Sequence, residues 1–427
     1  MLTRLFITFF AALVLFEPGY AEEPGYPRNF SVQFTDNFLL KPDWRDRLLK
    51  VKELGADFVR IDVNWNWVEK SKGVYDWTVY DAFVAELKRD GLRPLFELNR
   101  PNPNYSGPVT GAAPTGVAAV EAFSKWAAAA AVRYKTAGPI WEIWNEPDHE
   151  MFWPPKADPG AYVTLAKSAC LTMKAAQPDA VVISAGTPQP TVWQKEKPIL
   201  RAEMNDKAFL ACLDGISLHT HRFGQTPETI SRDYAVLRQQ YLDSWPADVP
   251  RKPIYDTEWG DSVYRGGISE ATQAAWLPRM FLINLMEGVN FTNWYCFQDV
   301  GANPDEIEDH FGLVSLTGAP RLSYKTFKVL VRQLSGLTFE RALIRFDVPT
   351  AKGNTALLFC DSSHANCIIA AWTSDDLPAG TQVDLPDWSI ASVTDFLGNS
   401  TKREELGEAG GKFVLSPKVA YFHVTRK

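Results

Sequence analysis

Eight times in succession, a short apolar run leads into a longer run with helical spacing. The short runs are NFSVQF, DFVRIDV, RPLFELN, IWEIWNEPD, AVVISAG, GISLHTH, PIYDTEW and FTNWYCFQD. Several are apolar on both faces, as parallel strands covered by helices must be. Eight consecutive units in this length predict an α/β fold closed into a (β/α)8 TIM barrel. An open doubly wound sheet is the competing architecture, and no glycine-rich phosphate loop follows the first run. After Gly336 the runs become short and are separated by turn residues, which predicts a smaller C-terminal all-β sandwich. The expected division is residues 1–21 as a signal peptide, 22–336 as the barrel and 337–427 as the sandwich, packed on the barrel.

The first segment has a basic residue, Arg4, then an apolar stretch from Leu5 to Phe16 that is short for a membrane span. Small residues near Ala21 complete the pattern of a cleaved secretory signal. The alternative is an uncleaved membrane anchor. After cleavage no segment could cross a membrane, and the mature chain is expected to be a secreted or periplasmic monomer. The chain carries 51 acidic and 44 basic residues with no basic block, which argues against a nucleic-acid partner. Five cysteines leave at least one without an intramolecular disulfide partner. Cys360 and Cys367 flank a plausible hairpin turn, so a cross-strand disulfide and a pair of free thiols are both open. None of the cysteines has metal-site spacing.

A barrel of this kind carries its chemistry where the strands end. The polar and aromatic residues there are Asp62, Asn64 and Trp65 after the second run, then Glu97, Asn99 and Arg100 after the third. Asn145 and Glu146 follow the fourth, His219 and His221 the sixth, Glu258 and Trp259 the seventh, with Trp294 and Gln298 along the eighth. Glu146 and Glu258 are both framed by aromatics, and a charge at the end of a buried strand is costly unless it is paired or used. Paired carboxylates across a cleft are the minimum apparatus for glycoside hydrolysis. A structural ion pair is the alternative for each. Strict alternation would place Glu142, Trp144 and Glu146 on one face and Asn145 on the other. Both Asn145 and Glu146 are wanted at the site, which predicts a strand end or bulge there. Glu142 would then lie deeper, paired with an arginine. A metal site built from the two histidines and an aspartate is a less favoured reading. Trp65, Trp67 and Trp153 fall in the loops after the second and fourth runs. As exposed platforms they would line a groove for several sugars; as loop packing they would not.

The segments WEIWNEPD, IYDTEWG and NWNWVEKSKGVYDW resemble the fourth-strand, seventh-strand and second-strand motifs of the clan A glycoside hydrolases. The chain is most similar to glycoside hydrolase family 39, and within it to secreted enzymes that cut bacterial exopolysaccharide. The resemblance spans the barrel. It implies a retaining β-glycosidase that needs no cofactor or metal and takes a polysaccharide or oligosaccharide substrate. It implies Glu146 as general acid/base, Glu258 as nucleophile and Asn145 as partner of the sugar 2-hydroxyl. Arg60 would keep the nucleophile ionised, His219 would take the sixth-strand histidine role, and Trp294 would be the platform under the sugar. Two departures stand out. The family often has His-x-Tyr on the sixth strand where this chain has HTH, and FELNRP differs from the β-xylosidase pattern. The expected function is endo-acting hydrolysis of an exopolysaccharide, such as a biofilm polymer. An exo-acting β-xylosidase and a non-catalytic polysaccharide-binding protein are the rivals.

Overall fold

The computed structural model describes residues 29–105, 111–188, 198–239, 244–289, 291–348, 351, 353–374, 381–402 and 412–427. The signal-peptide segment, residues 1–21, lies outside them. The barrel strands are Asn29–Gln33, Phe58–Asn64, Arg93–Asn99, Ile140–Ile143, Val181–Ile183 continued at Thr187–Pro188, Ile216–His219, Ile254–Trp259 and Phe291–Trp294. All pair in parallel with their sequence neighbours, and the first strand pairs with the eighth. Ile183 and Thr187 bridge the fifth strand to the sixth, which closes the ring. Helices cover the outside. Among the described residues, no helix is long and apolar enough to cross a membrane.

Between the strands and the outer helices runs a continuous layer of aromatic rings. Trp65 stacks on Tyr105 and Trp126, Phe123 touches Trp65, Trp126 and Trp144, and Trp153 joins Trp144 to Tyr162. Much of the chain's tryptophan is thus core. Rings of this kind bury on the order of 150–250 Å² each, which dominates the local packing energy.

The last part of the chain forms a six-stranded antiparallel sheet and a two-stranded ribbon, Thr381–Asp384 with Lys412–Leu415. Alternation divides its side chains cleanly. Leu357, Phe359, Ile368, Ala370, Trp372 and Tyr421 join the barrel's core. Ala356, Leu358, Ile369, Ala371, Phe422 and Val424 pack instead with Val383 and Leu415 of the ribbon. The junction is also polar: Trp372 Nε1 donates to Glu228 Oε1 at 2.8 Å, and Glu228 pairs with the buried Arg279 of the barrel helix Glu270–Met286.

Cys360 and Cys367 are joined as a disulfide across their hairpin. A second disulfide, Cys170–Cys212, ties the helix Pro159–Ala176 to the helix Lys207–Cys212. Its partners are 42 residues apart, and only packing of the two helices reveals it. Cys296 is a buried free thiol.

Glu203, in the helix Pro198–Asn205, is completely buried. Burial, with the charge of Asp148 adding to it, raises its carboxyl to about 8. The folded protein therefore holds a proton here that the unfolded chain releases near the ordinary glutamate value, about 4.3. Folding takes up this proton between those values, so stability falls as pH rises through that window. Glu203→Gln should remove the penalty. The thermal midpoints of variant and wild type should approach one another near pH 5 and separate toward pH 8, the variant gaining on the order of 4 kcal/mol in relative stability across that range. Parallel midpoints across that range would show that Glu203 is ionised in the fold.

Candidate active site

The inner face of the barrel is polar because the strands place one buried cation at its centre. Arg60, on the second strand, is 1% exposed and uses all three of its nitrogens. Nε donates to Glu142 Oε2 at 2.8 Å, and Nη1 to Gln33 Oε1 at 2.9 Å and Glu258 Oε2 at 3.0 Å. Nη2 donates to Glu97 and reaches Asn145 Oδ1 at 3.4 Å. The partners come from the first, third, fourth and seventh strands. Glu142 is held further by Ser217 Oγ and Thr257 Oγ1, each at 2.7 Å. Burial raises the Glu97 carboxyl well above its usual range, against the pull of Arg60 and with the help of Asp62, Glu142 and Glu258. Asn99 Nδ2 donates to Glu97 Oε1 at 2.5 Å.

Local backbone irregularities bring the reachable carboxylates to the rim. The fourth strand ends at Ile143, and Trp144 and Glu146 take positive φ angles of 76° and 38°. That breaks the two-residue alternation. Trp144 turns into the outer aromatic layer, while Asn145 and Glu146 both face the barrel mouth. In the seventh strand a register shift between Asp256 and Trp259 has the same effect. Asp256 faces outward to Thr220 and Asn284, while Thr257 reaches Glu142 and Glu258 reaches Arg60. Bulges of this kind re-aim side chains beside active sites.

The side chains of Glu146 and Glu258 are 18% and 14% exposed, whereas those of Glu97 and Glu142 are 2% and 0% exposed. Only the first pair can meet a ligand in the mouth. An oxygen of Glu146, Nδ1 of His219 and an oxygen of Glu258 all lie within 4.8 Å of one another. His219 Nδ1 is 2.7 Å from Glu146 Oε1 and 3.9 Å from Glu258 Oε2. His221 Nε2 is 3.0 Å from Glu258 Oε1, and its Nδ1 is 3.0 Å from the Gly260 carbonyl oxygen. Glu258 resists burial, which alone would raise its pKa. The charges of His219, Arg60 and His221, with the His221 hydrogen bond, drive it well below the usual carboxylate range. The Glu146–His219–Glu258 trio could in principle ligate a metal ion. Arg60 already places a positive charge on Glu258, however, and disfavours a metal cation beside it.

The remaining expected site residues are distributed differently. Trp294 is fully buried, with Nε1 directed to the Phe311 carbonyl at 3.3 Å. Thr292, two residues earlier, faces the helix residue Asn284, so alternation turns Trp294 outward as well. Its neighbour Tyr295 is half-buried at the mouth, with ring contacts to His221 at 5.9 Å and Phe311 at 5.3 Å. The aromatic available to a sugar on this strand is therefore Tyr295, one residue beyond the expected one. Trp259 is 1% exposed, and Trp65 and Trp153 lie in the aromatic layer, with Trp65 Nε1 bonded to Glu69. They offer no surface to a substrate, whereas Trp67 is half-buried. Asn99 orients Glu97, and Gln298 bonds Arg47 and the carbonyls of Ser315 and Leu316, away from the carboxylates. Asp62, beside Arg100 at 3.6 Å, is partly exposed at the mouth and raised to about 6 by burial and by Asp36. Gln33, Ser217, Thr257 and Tyr295 were not singled out in the sequence. The visible signal was a polar side chain within an otherwise apolar strand.

Gly186 is required by close approach. Its carbonyl accepts from Glu146 N at 3.1 Å, and the His219 ring lies against it, so that an added Cβ would sit 1.9 Å from Nε2. Gly186→Ala must push that ring off Glu146. Misplacing a positioning group by about 1 Å can cost on the order of 10²-fold. The expected result is a loss of that size in kcat/KM with far-UV circular dichroism unchanged. Wild-type activity in the variant would mean that the His219 position is irrelevant.

A family model for glycosyl hydrolases family 39 matches residues 34–381. A family 39 glycoside hydrolase from the gut symbiont Bacteroides cellulosilyticus WH2 superposes with a TM-score of 0.74 at 24% identity, over 93% of this chain and 81% of that one. A monomeric beta-xylosidase from Caulobacter crescentus CB15 gives 0.65 at 16% identity, over 94% and 98% of the two chains. An alpha-L-arabinofuranosidase from Thermotoga maritima gives 0.59 at 15% identity, with 90% of each chain covered. A beta-amylase from Zea mays is 45% identical over 60 residues, which is 14% of this chain and 12% of that protein. The family match covers most of the barrel and both carboxylates at its mouth, and the chain belongs to glycosyl hydrolases family 39.

Proposed function

We propose that the protein is a secreted or periplasmic, monomeric, retaining β-glycosidase that works by double displacement. The supporting observation is the pair of reachable carboxylates, with nearest oxygens within 4.8 Å. Enzymes that attack the sugar directly hold these groups about 5–5.5 Å apart, while those that insert a water need about 6.5–9.5 Å. Their surroundings divide the labour. Glu258 touches Arg60 and His221, so it is a carboxylate throughout the working range and serves as nucleophile. Glu146 has neither cation bonded to it and is paired with the His219 ring. It donates a proton to the leaving oxygen as Glu258 bonds to the anomeric carbon. It then takes a proton from water, whose oxygen displaces Glu258. Asn145, at the mouth beside Arg60, is positioned for the sugar 2-hydroxyl.

The substrate is a polysaccharide, of the bacterial exopolysaccharide class, cut within the chain. The support is a mouth bordered by the half-buried Tyr295 and by Phe223, 39% exposed, both against the His221 ring, rather than by the buried tryptophans. The beta-xylosidase among the similar structures favours the rival reading, removal of a terminal sugar.

A 2-deoxy-2-fluoro β-glycoside with a dinitrophenol leaving group should trap an adduct, and peptide mapping should find it on Glu258. A label on Glu146, or inverted product by NMR, would exclude double displacement through Glu258. Glu146→Gln should lose about 10²–10⁴-fold on polysaccharide but much less in the first step on the dinitrophenyl glycoside, which needs no proton. Rapid loss of viscosity with oligosaccharide products supports internal cleavage; monosaccharide from the first minutes with viscosity unchanged excludes it.

A further inference from the structure

We propose that His221 works as an imidazolium that positions Glu258 through a charged hydrogen bond, taking the place of the neutral tyrosine that resemblance to the family leads one to expect. The inference rests on Glu258 as nucleophile. Its geometric basis is the pair of partners on the ring. Nδ1 is 3.0 Å from a backbone carbonyl, which can only accept, and Nε2 is 3.0 Å from the Glu258 carboxylate. A neutral imidazole has one N–H and could satisfy only one of them. With both protons present, each nitrogen donates and both acceptors are matched. The side chain is 10% exposed, so both bonds are largely shielded from water.

The charged surroundings point the same way. From the seventh strand and its end, Glu258, Asp256 and Asp261 act on the ring electrostatically; Glu146 does so from the fourth, and Glu308 from the turn after the eighth. The Tyr295 hydroxyl group is neutral in the working range, and Tyr295 and Phe311 meet the ring by their edges or faces. The neighbouring cation, Arg222, is neutralised by the buried Asp233. Burial opposes a charged ring, but the Glu258 bond and charge outweigh it and raise His221 to about 9.

The consequence is chemical. A charge-assisted donor is roughly twice as strong as a neutral one. In the second step the bond between the anomeric carbon and Glu258 breaks, and its electron pair returns to the carboxylate. The imidazolium stabilises that returning charge and eases the departure. As pH rises and the ring loses a proton, this help is lost, so the alkaline fall of activity follows His221.

Imidazole 15N NMR of the intact, labelled wild-type protein reads the proton state without any substrate. At pH 7 both His221 nitrogens should carry protons, with the transition near pH 9, and Glu258→Gln should move it down by at least a pH unit. A single protonated nitrogen at pH 7, or a transition at or below 6.5, overturns the proposal even if the fluoro-sugar label falls on Glu258. A label elsewhere overturns the nucleophile assignment while leaving the titration standing. The pH profile of kcat should then be measured on whichever of the dinitrophenyl β-xyloside, glucoside, galactoside and mannoside reacts fastest. With such a leaving group the second step limits kcat, and there Glu146 acts as base and governs the acid limb rather than the alkaline one. His221→Tyr should keep most of the rate and shift that limb upward, and His221→Phe should lose about 10²-fold, the scale for one lost donor to developing charge. An unchanged limb in His221→Tyr would assign it to His219 instead and overturn the kinetic role.

Discussion

One buried guanidinium organises the centre of this protein. Arg60 gathers side chains from four other strands into a single network, and its charge is what allows Glu97, Glu142 and Glu258 to share one interior. Removing one partner of such a network leaves buried charge uncompensated, a cost of about 3–5 kcal/mol. The network also ranks the carboxylates. Those fully enclosed with Arg60 are structural, and the one that touches it from the rim is partly exposed to the mouth.

The difference between Glu146 and Glu258 follows from their neighbours rather than from their residue type. The sixth strand places Ser217 and His219 on the inner face at two-residue spacing, and the segment just beyond its end brings His221 to the same side. Each serves a different carboxylate atom: Ser217 the buried Glu142, His219 the Glu146 oxygen, His221 the Glu258 oxygen. One strand thus anchors the support, aligns one group and charges the surroundings of the other. Interactions of this kind separate the proton affinities of two like groups, which is how acid and base roles are assigned within one site.

Aromatic residues are divided by the same alternation. Those on the outward face of a strand, or within the loops that close over the helices, become packing. Trp144, Trp153, Trp65 and Trp294 belong there. A single register step puts Tyr295 rather than Trp294 at the mouth. Phe223 is held there with φ of 49°, between the Arg222–Asp233 ion pair and the bond from Gly224 N to Asp261. Strained backbone of this sort persists only where its surroundings fix it.

Sequence alone determined the repeated strand–helix order, the change to all-β alternation after Gly336, and the positions of Glu146 and Glu258, because hydrophobic period and turn residues are local properties. It also placed Glu142 deep beside an arginine and anticipated the irregular backbone at Asn145, since strict alternation could not bring both residues to one mouth. Tertiary structure decided what depends on facing and partnership. Which tryptophan is exposed turns on one residue of register, and the Cys170–Cys212 pairing turns on how two helices pack. The roles of Gln33, Ser217 and Gly186 arise only when strands far apart in sequence meet across the barrel. The charge of His221 is the clearest case: HTH names a histidine, but only the carbonyl on one side and the carboxylate on the other require it to hold two protons.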